Sequence, residues 1–265
     1  MKERYHSRWV IKAGSNVVCT GGPLLVRAWM NQIASLRKKH GIEVVWVTSG
    51  AIASAVDRTG FGKRDRKLPE KQALSAIGQP LIMDLYNIAL QTSGLLGAQI
   101  LLTYSDLADK SRRENFSRTV EQLLDWKVTP ILNENDAVAT EEIKFGDNDS
   151  LSAKVAHVVR ADRLVILTDV DGLYDSDPKK NRSAKIISSL PTVTPALLKS
   201  LESEENQRNK KTGRGTGGIY SKVRAASEAS LHGIETWLVR GDTPSVLLDV
   251  AQNRMVGTRI ARAGK

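Results

Sequence analysis

The sequence predicts an α/β fold, a three-layer α-β-α sandwich around a mainly parallel sheet. Three observations predict it. Apolar runs such as Ile42–Val47 lack strict alternation, as strands covered on both faces do. Segments with apolar residues at helical spacing separate these runs. The two types alternate along the chain, the pattern of βαβ units with helices on both sides of one sheet.

The elements follow in order. Residues 8–15 begin as a strand, with Lys12 at its carboxyl end, and finish in a Gly14-Ser15 turn. Leu25, Trp29, Ile33 and Leu36 recur at helical spacing, and Gly41 stops that helix. The strand Ile42–Val47 runs into Thr48-Ser49-Gly50-Ala51. Leu74, Ile77, Leu81, Leu85 and Ile88 mark a long helix, with a kink expected at Gly78 and Pro80. A strand at 98–103 and a helix carrying Phe116, Val120, Leu123 and Leu124 come next. The run 128–132 reads as a buried strand with Pro130 in or near its edge, and 151–159 as a helix. Residues 163–169 are the most strand-like run, followed by a weak strand at 184–188 and a weak helix at 195–201. Residues 203–218 are polar, charged and Gly-rich, which predicts a mobile loop. Ile219, Val223 and Ala226 open another helix that Gly233 ends, and 236–239, 246–250 and 257–261 finish as strand, helix and strand.

With 265 residues, 41% of them apolar, the chain fits one large α/β domain or two small ones. No apolar run approaches the ~20 residues of a membrane span, and the basic N-terminus leads into a strand and not a signal sequence. A cytoplasmic enzyme is therefore expected. A single cysteine, Cys19, excludes an intramolecular disulfide framework and a Cys-based zinc cluster; it reads as a small packing residue. The formal net charge of +10 suits anionic ligands. Arg64, Arg66 and Lys67 read as solvated surface, and the few aromatic residues form no stacking motif for nucleic acid.

The chain is organised around Asn133-Glu134-Asn135-Asp136-Ala137-Val138-Ala139, followed by Gly146-Asp147-Asn148-Asp149. Alone, Gly-Asp-Asn-Asp is a turn and a helix cap. Two neighbouring loops this rich in carboxylates and amides need a cationic ligand, a metal or lysines to offset them. Gly14-Ser15, Ser49-Gly50-Ala51 and Gly215-Thr216-Gly217-Gly218 could bring backbone N–H groups to an anion, or simply make turns. No Walker P-loop and no dinucleotide fingerprint is present. Lys222 sits in a first helical turn, where only an anion relieves its charge. From spacing alone, Lys12 and Lys222 each read as a snorkelling surface lysine.

Taken in order, Lys12-Ala13-Gly14-Ser15, Val47-Thr48-Ser49-Gly50-Ala51-Ile52, Asn133 to Ala139, Gly146 to Asp149, Leu167-Thr168-Asp169 with Asp171-Gly172-Leu173-Tyr174, and Gly215-Thr216-Gly217-Gly218 with Lys222 resemble the glutamate 5-kinases of the amino acid kinase superfamily. Val256-Gly257-Thr258 also fits. The resemblance implies the amino acid kinase fold and transfer of the γ-phosphoryl of ATP to the side-chain carboxylate of L-glutamate, the first step of proline biosynthesis. It implies that Ser49, Asp136 and Asn148 bind glutamate, with Gly50, Ala51 and Asn133 nearby. Lys12, Thr168, Asp169, Thr216, Gly217, Gly218, Ile219, Tyr220, Ser221 and Lys222 are implied at ATP. Lys12 and Lys222 would stabilise the transferring phosphoryl, Asp149 would hold both lysines, and Mg²⁺ would ride on the ATP phosphates with no direct protein ligand.

On the same ground, one kinase domain over 1–265 is expected, roughly 1–160 for glutamate and 161–265 for ATP. Members often carry a C-terminal PUA domain; this chain is expected to lack it. A homo-oligomer (dimer or tetramer), feedback by proline, and no membrane or nucleic-acid partner are further expectations. Two departures stand out. Ile219-Tyr220-Ser221 replace the usual Met-Thr before the lysine, and Ala53-Ser54-Ala55-Val56 lack a glycine usual there. The alternatives are another small-carboxylate or phosphate kinase of the superfamily, or a non-catalytic regulatory or nucleic-acid-binding protein on this fold.

Overall fold

The protein was analysed as a computed structural model, which describes residues 5–61, 66–139, 148–178, 181–212 (side chains to 207) and 218–263. The first half runs β1 (Ser7–Ala13), α1 (Ser15–His40), β2 (Ile42–Val47), α2 (Ala51–Thr59), α3 (Leu68–Thr92), β3 (Leu96–Leu102), α4 (Tyr104–Ala108), α5 (Lys110–Asp125) and β4 (Val128–Glu134). The second half runs α6 (Asn148–Val158), β5 (Arg163–Thr168), β6 (Ser189–Leu190), α7 (Pro195–Thr212), α8 (Ile219–Leu231), β7 (Glu235–Arg240), α9 (Val246–Ala251) and β8 (Thr258–Ile260).

The strands join one sheet in the order β3-β4-β2-β1-β5-β7-β8-β6. Every pairing is parallel except β7 with β8. Side chains alternate across a strand, so each central strand feeds both faces. Trp9, Ile11, Val44, Trp46, Val165, Leu167 and Trp237 pack under α1, α3 and α9. Val10, Val45, Val47, Leu164, Ile166 and Leu238 pack under α5, α6 and α8 on the opposite face. This two-sided burial is why the strands read as continuous apolar runs, and it gives the predicted three layers. The chain leaves β1 toward β2 on one side and returns to pair β5 on the other. In open α/β sheets such a reversal marks the crevice where ligands bind.

Several expectations are corrected by packing. The long helix α3 turns Leu74, Gly78, Ile82 and Tyr86 inward and leaves Ile77 and Ile88 exposed, so its core stripe is rotated from the one the leucines and isoleucines suggested. Gly78 is there for close approach, since a Cβ would collide with the Ala51 carbonyl oxygen. α1 carries a kink of its own, where Gly22 takes φ 58° and ψ −158° just before Pro23. Only glycine reaches that backbone region cheaply. Pro130 lies inside β4, and the β2–β4 register begins one residue later at Ile131, where an N–H is again available. The expected loop at 203–218 is helical to Thr212, as α7 continues; residues 213–217 lie outside the described residues. The short helices α2 and α4 escaped the sequence reading because few of their positions face the core. Cys19 is exposed and fills no core position.

Candidate active site

The carboxyl ends of β1, β2, β4 and β5 surround a cavity of about 630 Å³. Its walls include Lys12, Ser49, Gly50, Ala51, Asn133, Asp136, Asn148, Asp149, Thr168, Asp169 and Lys222. Residues as far apart in the chain as Lys12 and Asp169 are thus gathered because parallel strands deliver all their carboxyl ends to one edge of the sheet; α8 supplies Lys222 from beyond it.

A charged cluster lies on one side. Asp149, in the first turn of α6, is fully buried. Its Oδ1 lies 2.5 Å from Lys12 Nζ, an ion pair. Its Oδ2 lies 3.4 Å from Lys222 Nζ and accepts a hydrogen bond from Ser221 Oγ at 2.8 Å. Lys222 also donates to the Gly218 carbonyl at 3.2 Å. Burial pushes the Asp149 carboxyl up, but Lys12 and Lys222 outweigh it and hold the group below the ordinary carboxylate range. Both lysines are about 95% sequestered, 5% and 6% exposed, which overturns the snorkelling reading. A buried ammonium needs a counter-ion, and one carboxylate serves two of them. The cluster puts both ammoniums on the cavity wall, where an anionic ligand is favoured.

A neutral amide network lies on the other side. Asn148 Nδ2 lies within 2.7 Å of Ser49 Oγ and Asn133 Oδ1 and 2.6 Å of the Thr48 carbonyl. Asn133 Nδ2 donates to Gln79 Oε1 at 3.2 Å, and Gln79 Nε2 donates to the Glu134 carbonyl at 3.2 Å. Gln99 Nε2 reaches the same Gln79 oxygen at 3.3 Å. Thr48 Oγ1 donates to the Tyr86 hydroxyl at 3.0 Å, and burial pushes that phenol up to about 12. Gln79 and Gln99 were invisible in the sequence: each is a lone glutamine inside an apolar element, and only the meeting of α3, β3 and β4 makes them supports for Asn133.

Asp169 closes the β5 end. Its oxygens accept from Asn16 Nδ2 and Thr168 Oγ1, both at 3.2 Å. Burial raises this carboxyl, and the bonds from Asn16, its own backbone N–H and Thr168 bring it below the ordinary range. Asn16 stands in the first turn of α1, whose opening residues Gly14 to Val17 also line the cavity. A helix N-terminus there favours negative charge.

Other residues sit elsewhere. Gly218, Ile219 and Tyr220 are not on the cavity wall. The Tyr220 N–H donates to Glu205 Oε2 of α7 at 3.2 Å, and its hydroxyl donates to Glu202 Oε1 at 3.3 Å. Ser221 spends its hydroxyl on Asp149 and on the Gly218 carbonyl. Thr216 and Gly217, with Gly146 and Asp147, lie outside the described residues. Arg66 is a correction of the opposite kind: expected on the solvated surface, it lines the cavity. Among the described residues, no group of three His, Cys, Asp or Glu side chains is arranged to hold a metal by itself. No helix among them is long and apolar enough to cross a membrane.

The model of the amino acid kinase family matches residues 7–240. The glutamate 5-kinase of Methylobacillus flagellatus is 42% identical over 97% of this chain and 68% of its own length. That of Thermus thermophilus is 44% identical over 95% of this chain and 66% of its own. The chain thus spans about two thirds of the length of these relatives. Among solved structures, an isopentenyl phosphate kinase from T. acidophilum superposes with a TM-score of 0.63 at 16% identity, covering 96% of this chain and 99% of that one. A UMP kinase from Bacillus anthracis gives 0.61 at 16% identity, covering 97% of both chains. At that identity the two structures speak for the fold alone, while the first two relatives speak for the sequence family: the chain belongs to the amino acid kinase family and, within it, to the glutamate 5-kinases.

Proposed function

We propose that the protein transfers the γ-phosphoryl group of ATP to the side-chain carboxylate of L-glutamate, forming L-glutamyl 5-phosphate. The observation that carries this reading is the buried Lys12–Asp149–Lys222 cluster, placed between the amide pocket and the Thr168–Asp169 strand end. Phosphoryl transfer asks for in-line positioning and for positive charge around the equatorial oxygens. Two ammoniums fixed by one carboxylate meet that need without reorganising during reaction. Ser49, Asn133 and Asn148 would orient the acceptor, and Asp136 would take its ammonium. The acceptor carboxylate is already ionised, so no side chain has to remove a proton.

Thr168, Asp169 and the start of α1 would face the nucleotide, and Thr216 and Gly217 are assigned to it by the family resemblance alone. Mg²⁺ usually binds through one or two carboxylates, substrate phosphates and water. Asp169 fits such a role, since its oxygens accept hydrogen bonds from the neutral Asn16 and Thr168 side chains on the cavity wall. When bound, the ion would offset phosphate charge. The division is read as a glutamate part over roughly 1–160 and an ATP part over 161–265, with Lys12 and the start of α1 reaching the nucleotide from the first part, and the reaction is read as the head of proline synthesis. Oligomerisation and inhibition by proline belong to the same reading.

The test is ATP consumption with L-glutamate, L-aspartate and N-acetylglutamate offered separately. L-Glutamate should turn over, and the acetylated compound, which has no ammonium for Asp136, should be poor. Efficient use of N-acetylglutamate would sink the Asp136 assignment.

A further inference from the structure

We infer that Glu205 of α7 is a positioning residue for Lys222, capping the first turn of α8 from outside that helix. It rests on the assignment of Lys222 to the transferring phosphoryl group. The N-cap of α8 is Gly218, which has no side chain to cap with, and the first turn holds no acidic residue. A helix start leaves its first N–H groups without partners inside the helix and favours negative charge. Ser, Thr, Asp or Asn usually answers this at the N-cap, by accepting from the second or third N–H. Here the Tyr220 N–H, the second of the helix, donates to Glu205 Oε2 at 3.2 Å. A carboxylate from fifteen residues upstream thus does the work of an N-cap side chain.

The backbone is shaped for this carboxylate. Gly218 has φ −73° and ψ −169°, an extended conformation open to any residue. Its missing side chain serves close approach instead, since a Cβ there would collide with the carboxylate of Glu205. One turn earlier on α7, Glu202 Oε1 accepts from the Tyr220 hydroxyl at 3.3 Å. The Arg224 guanidinium lies 5.7 Å from the centre of the Tyr220 ring and donates to Ser150 Oγ at 2.8 Å. Tyr220 therefore ties the first turn of α8 to α7, while Arg224 ties the next turn to α6.

This anchoring reaches Lys222 through the Gly218 carbonyl. That oxygen accepts from Lys222 Nζ at 3.2 Å. Ser221 Oγ lies 2.9 Å from the same oxygen and 2.8 Å from Asp149 Oδ2. The Gly218 carbonyl thus helps set where the Lys222 ammonium meets the Asp149 carboxylate. An ammonium on a flexible four-carbon stem needs fixed acceptors to hold one place. Glu205 packs against the residue that carries this acceptor and is itself off the cavity wall.

The test compares Glu205→Ala and Glu205→Gln in the full chain. The amide oxygen of Gln keeps an acceptor for the Tyr220 N–H, and Ala removes it. In Glu205→Ala, kcat with L-glutamate should fall about tenfold to a hundredfold, the loss expected when a reacting group is displaced by about 1 Å. KM for L-glutamate should stay unchanged, because the amide half of the cavity is untouched. Glu205→Gln should recover most of kcat. A second readout does not depend on activity. In the ligand-free protein, acetylation of Lys222 by acetic anhydride, read by mass spectrometry, should rise severalfold in Glu205→Ala while that of Lys12 does not. Unchanged Lys222 labelling would overturn the inference, as would equal rises at Lys12 and Lys222. So would an unchanged kcat; a fall in KM for ATP beside it would mark the carboxylate as a competitor of the nucleotide phosphates. If the wild-type protein does not phosphorylate L-glutamate but Lys222 labelling still rises selectively, the glutamate reaction falls and the positioning role stands.

Discussion

The two sides of the cavity are built from opposite physics. Around Asp149, two buried ammoniums sit at 2.5 Å and 3.4 Å from one buried carboxylate. Around Asn133, uncharged amides from α3, β3, β4 and α6 share donors and acceptors in a chain. The charged side gains strength from low dielectric, and for the same reason losing its carboxylate leaves buried charge without that partner. The amide side costs little to bury and can be rearranged at the price of one hydrogen bond at a time. A site that must stabilise charge in transfer needs the first kind; a site that must only shape a substrate can use the second.

The sharpest way to break this contrast is Asp149→Asn. Two buried ammoniums lose their counter-charge, so stability should fall by about 3–5 kcal/mol in denaturant titrations. Activity should drop with it. The acid limb of stability provides a second reading. The folded Asp149 carboxyl lies below its unfolded value of about 3.9. Its contribution is therefore complete above about pH 4 and lost as pH falls through the folded value. The substitution should flatten the stability–pH slope below about pH 4, without abolishing it, because Asp169 and Glu235 are shifted in the same direction. An unchanged slope would mean that Asp149 is not the anchor of the cluster.

Lys222→Ala comes next. Turnover should fall by roughly 10²–10³, the usual worth of one donor to transition-state charge. Lys12 remains on Asp149, so the stability loss should be smaller than for Asp149→Asn. A folded variant with normal kcat would remove Lys222 from the chemistry.

Gln79→Leu should have the smallest effect. It strands Asn133 Nδ2 and the Glu134 carbonyl, a cost of about 1–3 kcal/mol. The expected kinetic change is a raised KM for L-glutamate with kcat and KM for ATP nearly constant, and no change in the acid slope. Loss of kcat equal to that of Lys222→Ala would show that the two sides of the cavity act as one unit.

Much of this was legible in the sequence. The apolar runs of β1, β2, β4 and β5 announce strands covered on both faces, and a strand's carboxyl end is where such a sheet puts its ligands. Asn133, Asp136, Asn148 and Asp149 were visible as a density of short polar side chains that nothing local explains. Lys12 and Lys222 were visible as positions but not as buried ones. A lysine's burial is decided by what covers it, and its cover comes from Asp149, well over a hundred residues beyond Lys12 in the chain. Arg66 and Gln79 could not be read at all, because one stands in a basic polar stretch and the other in a helix. Their places around the cavity exist only where α3 meets the ends of β2 and β4. The α7 extension was missed because its polar residues look like a loop; the apolar anchors of that helix, Leu197, Leu198 and Leu201, all lie before it. Local periodicity and turn chemistry thus determined the elements, their order and the edge of the sheet that carries the site. Which polar groups are buried, paired or left facing the cavity was decided only by tertiary contact, because burial is a property of the neighbours and not of the residue.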